Sequence, residues 1–272
     1  MFLRGLIFIF ILCFTVVAWF WFNQEKWIFF PDRLNQDFTF NFPTEFKEKN
    51  LTLNSGENIN YLTFNENSSK GMLLYFHGNA GSLKDWGFVG SELSKRSGWG
   101  VCIMDFPGYG KSTVNLPKNQ RVLVEMGRAF RDEILKNNPE RPLVVFGRSI
   151  GTGIAVALVA DKNVTGIILE TPYRSFAKLG REFYPFLPEA FSRFDLDNEK
   201  MMKSFESVPN LIIHGTNDSL IPFNHAKVLS GLNPAFEFVT IEGGDHNNLS
   251  EFPSYWPSVE SFLKKAEKGE MK

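Results

Sequence analysis

Hydrophobic and polar positions divide the chain into three regimes. Residues 5–22, Gly-Leu-Ile-Phe-Ile-Phe-Ile-Leu-Cys-Phe-Thr-Val-Val-Ala-Trp-Phe-Trp-Phe, carry no charge. As a helix they would span about 27 Å, close to the hydrocarbon thickness of a bilayer. Trp19, Trp21 and Trp27 cluster at the end of the run, as interfacial anchors do. Ala18 runs into Trp-Phe-Trp-Phe with no small-x-small cleavage site, so an uncleaved single-pass anchor is expected rather than a signal peptide. Arg4 on one side nearly balances Lys26 and Arg33 on the other, which leaves the side of the membrane open. Residues 1–4 are then a short tail, and residues 23–44, without clear periodicity, read as a polar and aromatic linker. From 45 to 268 the pattern is that of one α/β domain. Residues 51–64 read as a hairpin around a Ser-Gly turn. Apolar runs then alternate with helical stretches such as 120–137, which implies parallel strands with helices on both faces. The segment at about 171–209, with Phe183-Tyr-Pro-Phe-Leu-Pro188, is too short for a large lid. It reads as an ordinary helical connection or as a small cap shaping an apolar pocket.

The most informative run is Leu143-Val-Val-Phe-Gly-Arg-Ser-Ile-Gly151, a strand ending in G-x-S-x-G. This is the pattern of a sharp strand-to-helix turn, a nucleophile elbow, that presents Ser149. A Cβ at Gly147 or Gly151 would meet neighbouring backbone in such a turn. The small apolar residues 152–160 suit a helix packed beneath a sheet, whose positive end favours negative charge developing at Ser149. Arg148 completes the elbow. A serine hydroxyl needs a base, and the base needs an acid to fix its tautomer. Of the four histidines, His246 lies in the Gly-rich loop 242–248 after the strand-like run 236–241. Asp218 lies in the loop after the run Asn210-Leu-Ile-Ile-His-Gly215, at the carboxyl end of a strand. The order Ser149, Asp218, His246 is the one this chemistry takes on an open α/β sheet. The run Met72-Leu-Leu-Tyr-Phe-His-Gly-Asn-Ala-Gly81 supplies a further loop, so the backbone N–H groups of Asn79 and Ile150 are the expected oxyanion-hole donors. Blander roles suffice elsewhere. Asp245 is a turn residue, Asp195 and Asp197 cap or face solvent, His77 and His214 are structural, and His225 starts a surface helix. Asp218 itself has a rival role as a helix cap near Pro222.

Taken together, His77-Gly-Asn-Ala-Gly81, Asp105-Phe-Pro-Gly-Tyr-Gly-Lys-Ser112, Gly147-Arg-Ser-Ile-Gly151, His214-Gly-Thr-Asn-Asp218 and Gly244-Asp-His246 resemble the α/β-hydrolase superfamily. More narrowly they resemble its membrane-anchored abhydrolase-domain serine hydrolases, some of which are lipases or protein depalmitoylases. Arg148 and Glu170-Thr-Pro-Tyr-Arg-Ser-Phe also match that branch. The resemblance spans roughly residues 45–268. It implies an α/β-hydrolase fold: a mostly parallel, eight-stranded sheet with helices on both faces, a small cap segment and an N-terminal transmembrane helix. It implies no substrate, since members of one fold differ widely in what they cleave.

Composition narrows the remainder. The 272 residues suit one large domain, and 43% hydrophobic residues build a sizeable core. A net charge of −1 argues against a nucleic-acid partner. The 29 phenylalanines are explained by an aromatic core, with an acyl pocket as the sharper alternative. Gly-Tyr-Gly-Lys-Ser at 108–112 lacks the first glycine of a P-loop, because that position is Asp105. Gly151-Thr-Gly153 fails as a dinucleotide fingerprint at Val156. Cys13 and Cys102 are too differently placed for a disulfide, no metal site is legible, and no cofactor is expected. The expectation is a membrane-tethered serine hydrolase of carboxylic esters or thioesters, with a small-molecule or lipid acyl ester as substrate. A serine peptidase or aminopeptidase on the same fold and a non-catalytic binding protein are the alternatives.

Overall fold

The computed structural model describes residues 2–53, 56–159, 164–186, 188–205 and 208–270. Helices α1 (Phe2–Phe22) and α2 (Glu25–Ile28) lead into β1 (Phe30–Pro31), β2 (Phe46–Thr52), β3 (Asn58–Phe64), β4 (Met72–Phe76), β5 (Ala80–Gly81) and α3 (Leu83–Ser97). Next come β6 (Gly100–Met104), α4 (Gln120–Asn137), β7 (Leu143–Arg148), α5 (Gly151–Val159) and β8 (Gly166–Glu170). Then α6 (Phe176–Phe183), a 3₁₀ turn at Glu189–Phe191 and α7 (Asn198–Met202) precede β9 (Asn210–Gly215), α8 (Asn224–Ser230), β10 (Glu237–Ile241) and α9 (Tyr255–Glu267).

Among the described residues the main sheet has eight strands, in the order β10-β9-β8-β7-β4-β6-β3-β2. Pairings from β10 across to β6 are parallel, while β3 joins β6 and β2 joins β3 antiparallel. Alternate side chains serve opposite faces. Leu74 and Phe76 of β4 join a core with Phe130 of α4 and Ile154 of α5, whereas Leu73 and Tyr75 join one with Leu93 of α3 and Phe262 of α9. That two-sided burial is why β4, β6, β8 and β9 read as continuous apolar runs. Strand β6 lies on one side of β4 and β7 on the other. The strand order reverses there, and open α/β sheets place their sites beyond the carboxyl ends of the strands at such a point.

Helix α4 occupies the expected residues 120–137, and the Asn119 side chain caps it by accepting from the Val122 N–H. Other expectations shift. The hairpin begins at Phe46 rather than Leu51, with Thr52 opposite Asn58; Ser55 of the expected Ser-Gly turn lies outside the described residues. Residues 23–44 are not a free linker. They include α2 and β1, with Phe29 and Phe40 buried, and β1 pairs in parallel with β5. Residues 4–22 form a helix long and apolar enough to cross a membrane, with none of it buried. In the connection between β8 and β9, Phe194, Leu196 and Met202 face the core, while Phe183, Tyr184 and Phe186 are exposed.

Candidate active site

Ser149 sits on the sharp turn between β7 and α5, with φ at +53°. A non-glycine residue in this left-handed region is uncommon and strained, and it persists where the surroundings enforce it. The enforcement is close packing of main chain. A Cβ on Gly147 would lie 2.6 Å from the Gly151 carbonyl oxygen, and one on Gly151 would lie 2.1 Å from that of Phe76. The turn is thereby pressed against the end of β4, with the Ser149 N–H donating to the Glu170 carbonyl of β8 at 3.0 Å.

Asp218 and His246 are brought together although they lie on different loops. The His246 Nδ1–H donates to Asp218 Oδ2 at 2.7 Å, and both side chains are nearly buried. Asp218 Oδ1 accepts the N–H groups of Leu220 at 2.9 Å and Ile221 at 2.8 Å. The carboxylate therefore both caps its own loop and holds the imidazole, so the capping role does not compete with the second. His214 Nε2 donates to the Ile221 carbonyl at 2.8 Å and lies 3.3 Å from Asp218 Oδ2. Burial by itself would raise the Asp218 pKa, but hydrogen bonds from His214, His246 and the Ile221 N–H outweigh it and hold the carboxyl well below the usual range. With Nδ1 committed to a carboxylate, His246 presents its Nε2 as the basic nitrogen. Asp245 accepts the His246 N–H and receives no imidazole contact, which leaves it a turn residue.

Arg148 ties the His246 loop to the elbow. Its Nη2 donates to the His246 carbonyl at 3.1 Å and to Asn247 Oδ1 at 3.0 Å, and its Nε lies 3.3 Å from Glu170 Oε1. The Glu170 carboxylate also accepts from Tyr255 OH at 2.7 Å, and the guanidinium lies 5.1 Å from the centre of the Trp86 ring. The loop bearing the imidazole is thus fastened to the residue directly before Ser149. Among the described residues, Ser149 Oγ makes no hydrogen bond to His246. Such bonds are often long in unliganded sites and tighten when substrate is bound.

On the β4 side, a Cβ at Gly78 would lie 4.0 Å from that of Ser149, so the His77–Gly81 loop passes directly beside the elbow. Neither the Asn79 nor the Ile150 N–H has an acceptor within the described residues. His77 is fully buried and stacked on Phe106 at 4.0 Å between ring centres, and its Nδ1–H donates to the Gly78 carbonyl at 2.6 Å. In a trans peptide the C=O and N–H point in opposite directions. Turning the Gly78 carbonyl toward His77 therefore turns the Asn79 N–H away from it. Burial lowers the His77 pKa to about 4, so the ring is neutral and structural.

The remaining histidine differs from expectation. His225 stands at the start of α8, but it is buried, accepting the Arg174 N–H at Nδ1 and facing the Glu182 carboxylate from Nε2 at 3.0 Å. Asp197 caps α7 by accepting from the Lys200 N–H. Among the described residues no group of three His, Cys, Asp or Glu side chains is placed to hold a metal ion. Cys13 and Cys102 are both free, one exposed and one buried. A cavity of about 560 Å³ lined by Leu135, Pro139, Arg141 and Val164 lies at the opposite end of β7 and takes no part in this arrangement.

The family model described as alpha/beta hydrolase fold matches residues 71–200, from the start of β4 through the elbow to α7. Over that stretch the chain has the α/β-hydrolase fold and is similar to abhydrolase-domain proteins. It is similar to protein bem46 of Schizosaccharomyces pombe, with 26% identity over 90% of this chain and 87% of that protein. It is also similar to the alpha/beta hydrolase domain-containing protein 17C of Mus musculus, with 29% identity over 72% of this chain and 60% of that protein. The solved structure of an esterase from Pyrococcus furiosus superposes with a TM-score of 0.67, at 19% identity, over 90% of this chain and 98% of that one. The fold and these similarities together support a hydrolase.

Proposed function

We propose that this chain is a membrane-anchored serine hydrolase that cleaves carboxylic esters or thioesters through an acyl-enzyme. The observation that carries this reading is the Asp218–His246 pair at 2.7 Å, its imidazole on a loop that Arg148 fastens to the Ser149 elbow. Ser149 Oγ attacks the acyl carbonyl as His246 Nε2 takes its proton. The resulting oxyanion receives the N–H groups of Asn79 and Ile150, each worth about 3 kcal/mol in such sites. Collapse breaks the bond to the alcohol or thiol, which leaves with the proton from His246. A water then gives its proton to His246 and attacks the acyl-enzyme, and the second collapse returns the proton to Ser149. Asp218 keeps its proton off throughout and steadies the imidazolium.

An apolar helix of membrane-spanning length, none of it buried, supports attachment to a bilayer. Attachment raises the local concentration of lipid or lipidated esters, the substrate class we favour, and the exposed Phe183, Tyr184 and Phe186 add apolar surface in the cap segment. The test is labelling with a fluorophosphonate together with a hydrolysis screen of acyl esters, acyl thioesters and aminoacyl amides. The wild-type protein should label and prefer longer acyl chains over acetyl, whereas Ser149→Ala should fail to label and lose on the order of 10⁶-fold in kcat. Preference for aminoacyl amides would make the protein a peptidase, and an unlabelled wild type would make it a binding protein.

A further inference from the structure

The stretch just after the N-terminal helix reaches the peptide that carries a proposed oxyanion donor. The Phe30 N–H donates to the Asn79 carbonyl at 2.8 Å, and the Asn79 side-chain amide donates to the Ile28 carbonyl at 3.0 Å. Tyr109 OH makes a second bond to the Asn79 carbonyl at 2.6 Å. The strand continues alongside the loop, with the Asp32 N–H donating to the Gly81 carbonyl at 2.8 Å. It is locked from the far side, where the Gly110 N–H donates to Asp32 O at 2.9 Å and the Leu34 N–H to Gly110 O at 3.0 Å. Phe29 is buried against Phe194 and Tyr109, at 5.4 and 6.4 Å between ring centres.

The Asn79 N–H lies between two carbonyls, and each is gripped. His77 holds that of Gly78, and Phe30 with Tyr109 holds that of Asn79. Fixing both flanking peptide planes fixes the two backbone dihedrals of Asn79, and with them the direction of its N–H. We infer that residues 28–32 are a positioning strand of the oxyanion site, acting through the Phe30 main-chain N–H and the Ile28 carbonyl on Asn79. This rests on the reading of Asn79 as an oxyanion donor. It makes the segment next to the membrane helix part of the catalytic apparatus rather than a tether. Upstream, Glu25 is buried in ion pairs with Lys118 and Arg193, and the Gln24 side chain bridges the Phe191 carbonyl and the Arg193 N–H. The strand therefore joins the end of the membrane helix to the site through continuous contacts.

The Phe30 side chain is half exposed, so its main-chain donor is separable from its packing. Phe29 is extended, with φ −109° and ψ 127°, which a following proline accepts. In the full chain in detergent, Phe30→Pro removes the donor and should lower kcat for a soluble acyl ester by about 10²-fold with KM within twofold. Phe30→Leu keeps the N–H and should restore the wild-type kcat. An unchanged kcat in a folded Phe30→Pro protein overturns the inference, as do equal losses in the two variants. If Phe30→Pro does not fold, Asn79→Ala decides the matter by removing the bond to Ile28. A kcat lowered at constant KM supports the strand's role, and an unchanged kcat overturns it. Absence of fluorophosphonate labelling at Ser149 in the wild type would sink the parent reading instead.

Discussion

Arg148 places one planar fork on Glu170, the His246 carbonyl and Asn247 together. A lysine carries a point charge on a flexible stem and reproduces one of these contacts at most. Arg148→Lys should therefore let the His246 loop drift and lower kcat on the order of 10²-fold, the cost of misplacing a catalytic group by about 1 Å. Steady-state kinetics at saturating ester measure it, and fluorophosphonate labelling should persist at a reduced rate. His77 makes a different kind of prediction. Its folded pKa of about 4 lies below the unfolded value, so between roughly pH 6.5 and 4 the unfolded chain binds a proton that the folded one refuses. The fold should lose stability as the pH falls through that window, by roughly 3 kcal/mol in all. Urea denaturation at pH 7, 5.5 and 4 measures the loss, and His77→Phe, which keeps a ring against Phe106, should flatten it. Asp218 runs the other way in origin. Its lowered carboxyl contributes stability that is complete above about pH 3.9 and lost only as the pH falls further, so the two windows separate.

At the level of elements, the turn from β7 to α5 depends on glycine at position 151 because the Phe76 carbonyl oxygen occupies the place of a Cβ. Gly151→Ala must push β4 and β7 apart at their carboxyl ends. We expect a loss of about 3 kcal/mol, seen as a drop in Tm of roughly 10 °C by calorimetry. Such crowding also explains what was legible. Strands covered on both faces announce themselves as apolar runs, and Asn79, Ser149 and Asp218 follow such runs closely in the sequence, while His246 follows the edge strand β10 and stands out by its glycine-rich loop. The start of β2 was hidden because it is an edge strand rich in charge, where Lys47 and Lys49 pair with Glu66, and Glu48 with Lys111. Strand β1 was hidden for another reason: two residues paired with two others about fifty positions away leave no period to detect. The parts played by Arg148 and by buried His225 were illegible on the same ground, since their partners lie 98 and 43 residues distant.

For the whole molecule the boundary that matters falls between residues 22 and 25. No residue in the 4–22 span is buried, whereas Glu25 and Phe29 are buried among side chains of the domain. The core therefore owes nothing to the apolar stretch, while a sleeve of exposed Phe, Ile, Leu and Trp on α1 is far larger than an aqueous monomer tolerates. Arg193 caps the end of this helix, donating to the Trp21 carbonyl at 3.4 Å and that of Phe22 at 3.2 Å, and its charge suits a helix C-terminus. Removal of residues 1–22 exposes Arg193 to water, where its charge is readily solvated, and leaves Glu25 paired with Lys118. The shortened protein should fold, hydrolyse a soluble acetyl ester with kcat within about twofold of the full chain, and move from the membrane pellet to the supernatant after carbonate extraction. The full chain should stay in the pellet and keep its apolar N-terminus by mass spectrometry. A mature protein beginning after residue 22 would make the segment a signal peptide, and a pelleted shortened protein would place the membrane contact elsewhere. Either result would still leave Glu25 and Phe29 in the domain, because their burial does not depend on the helix before them.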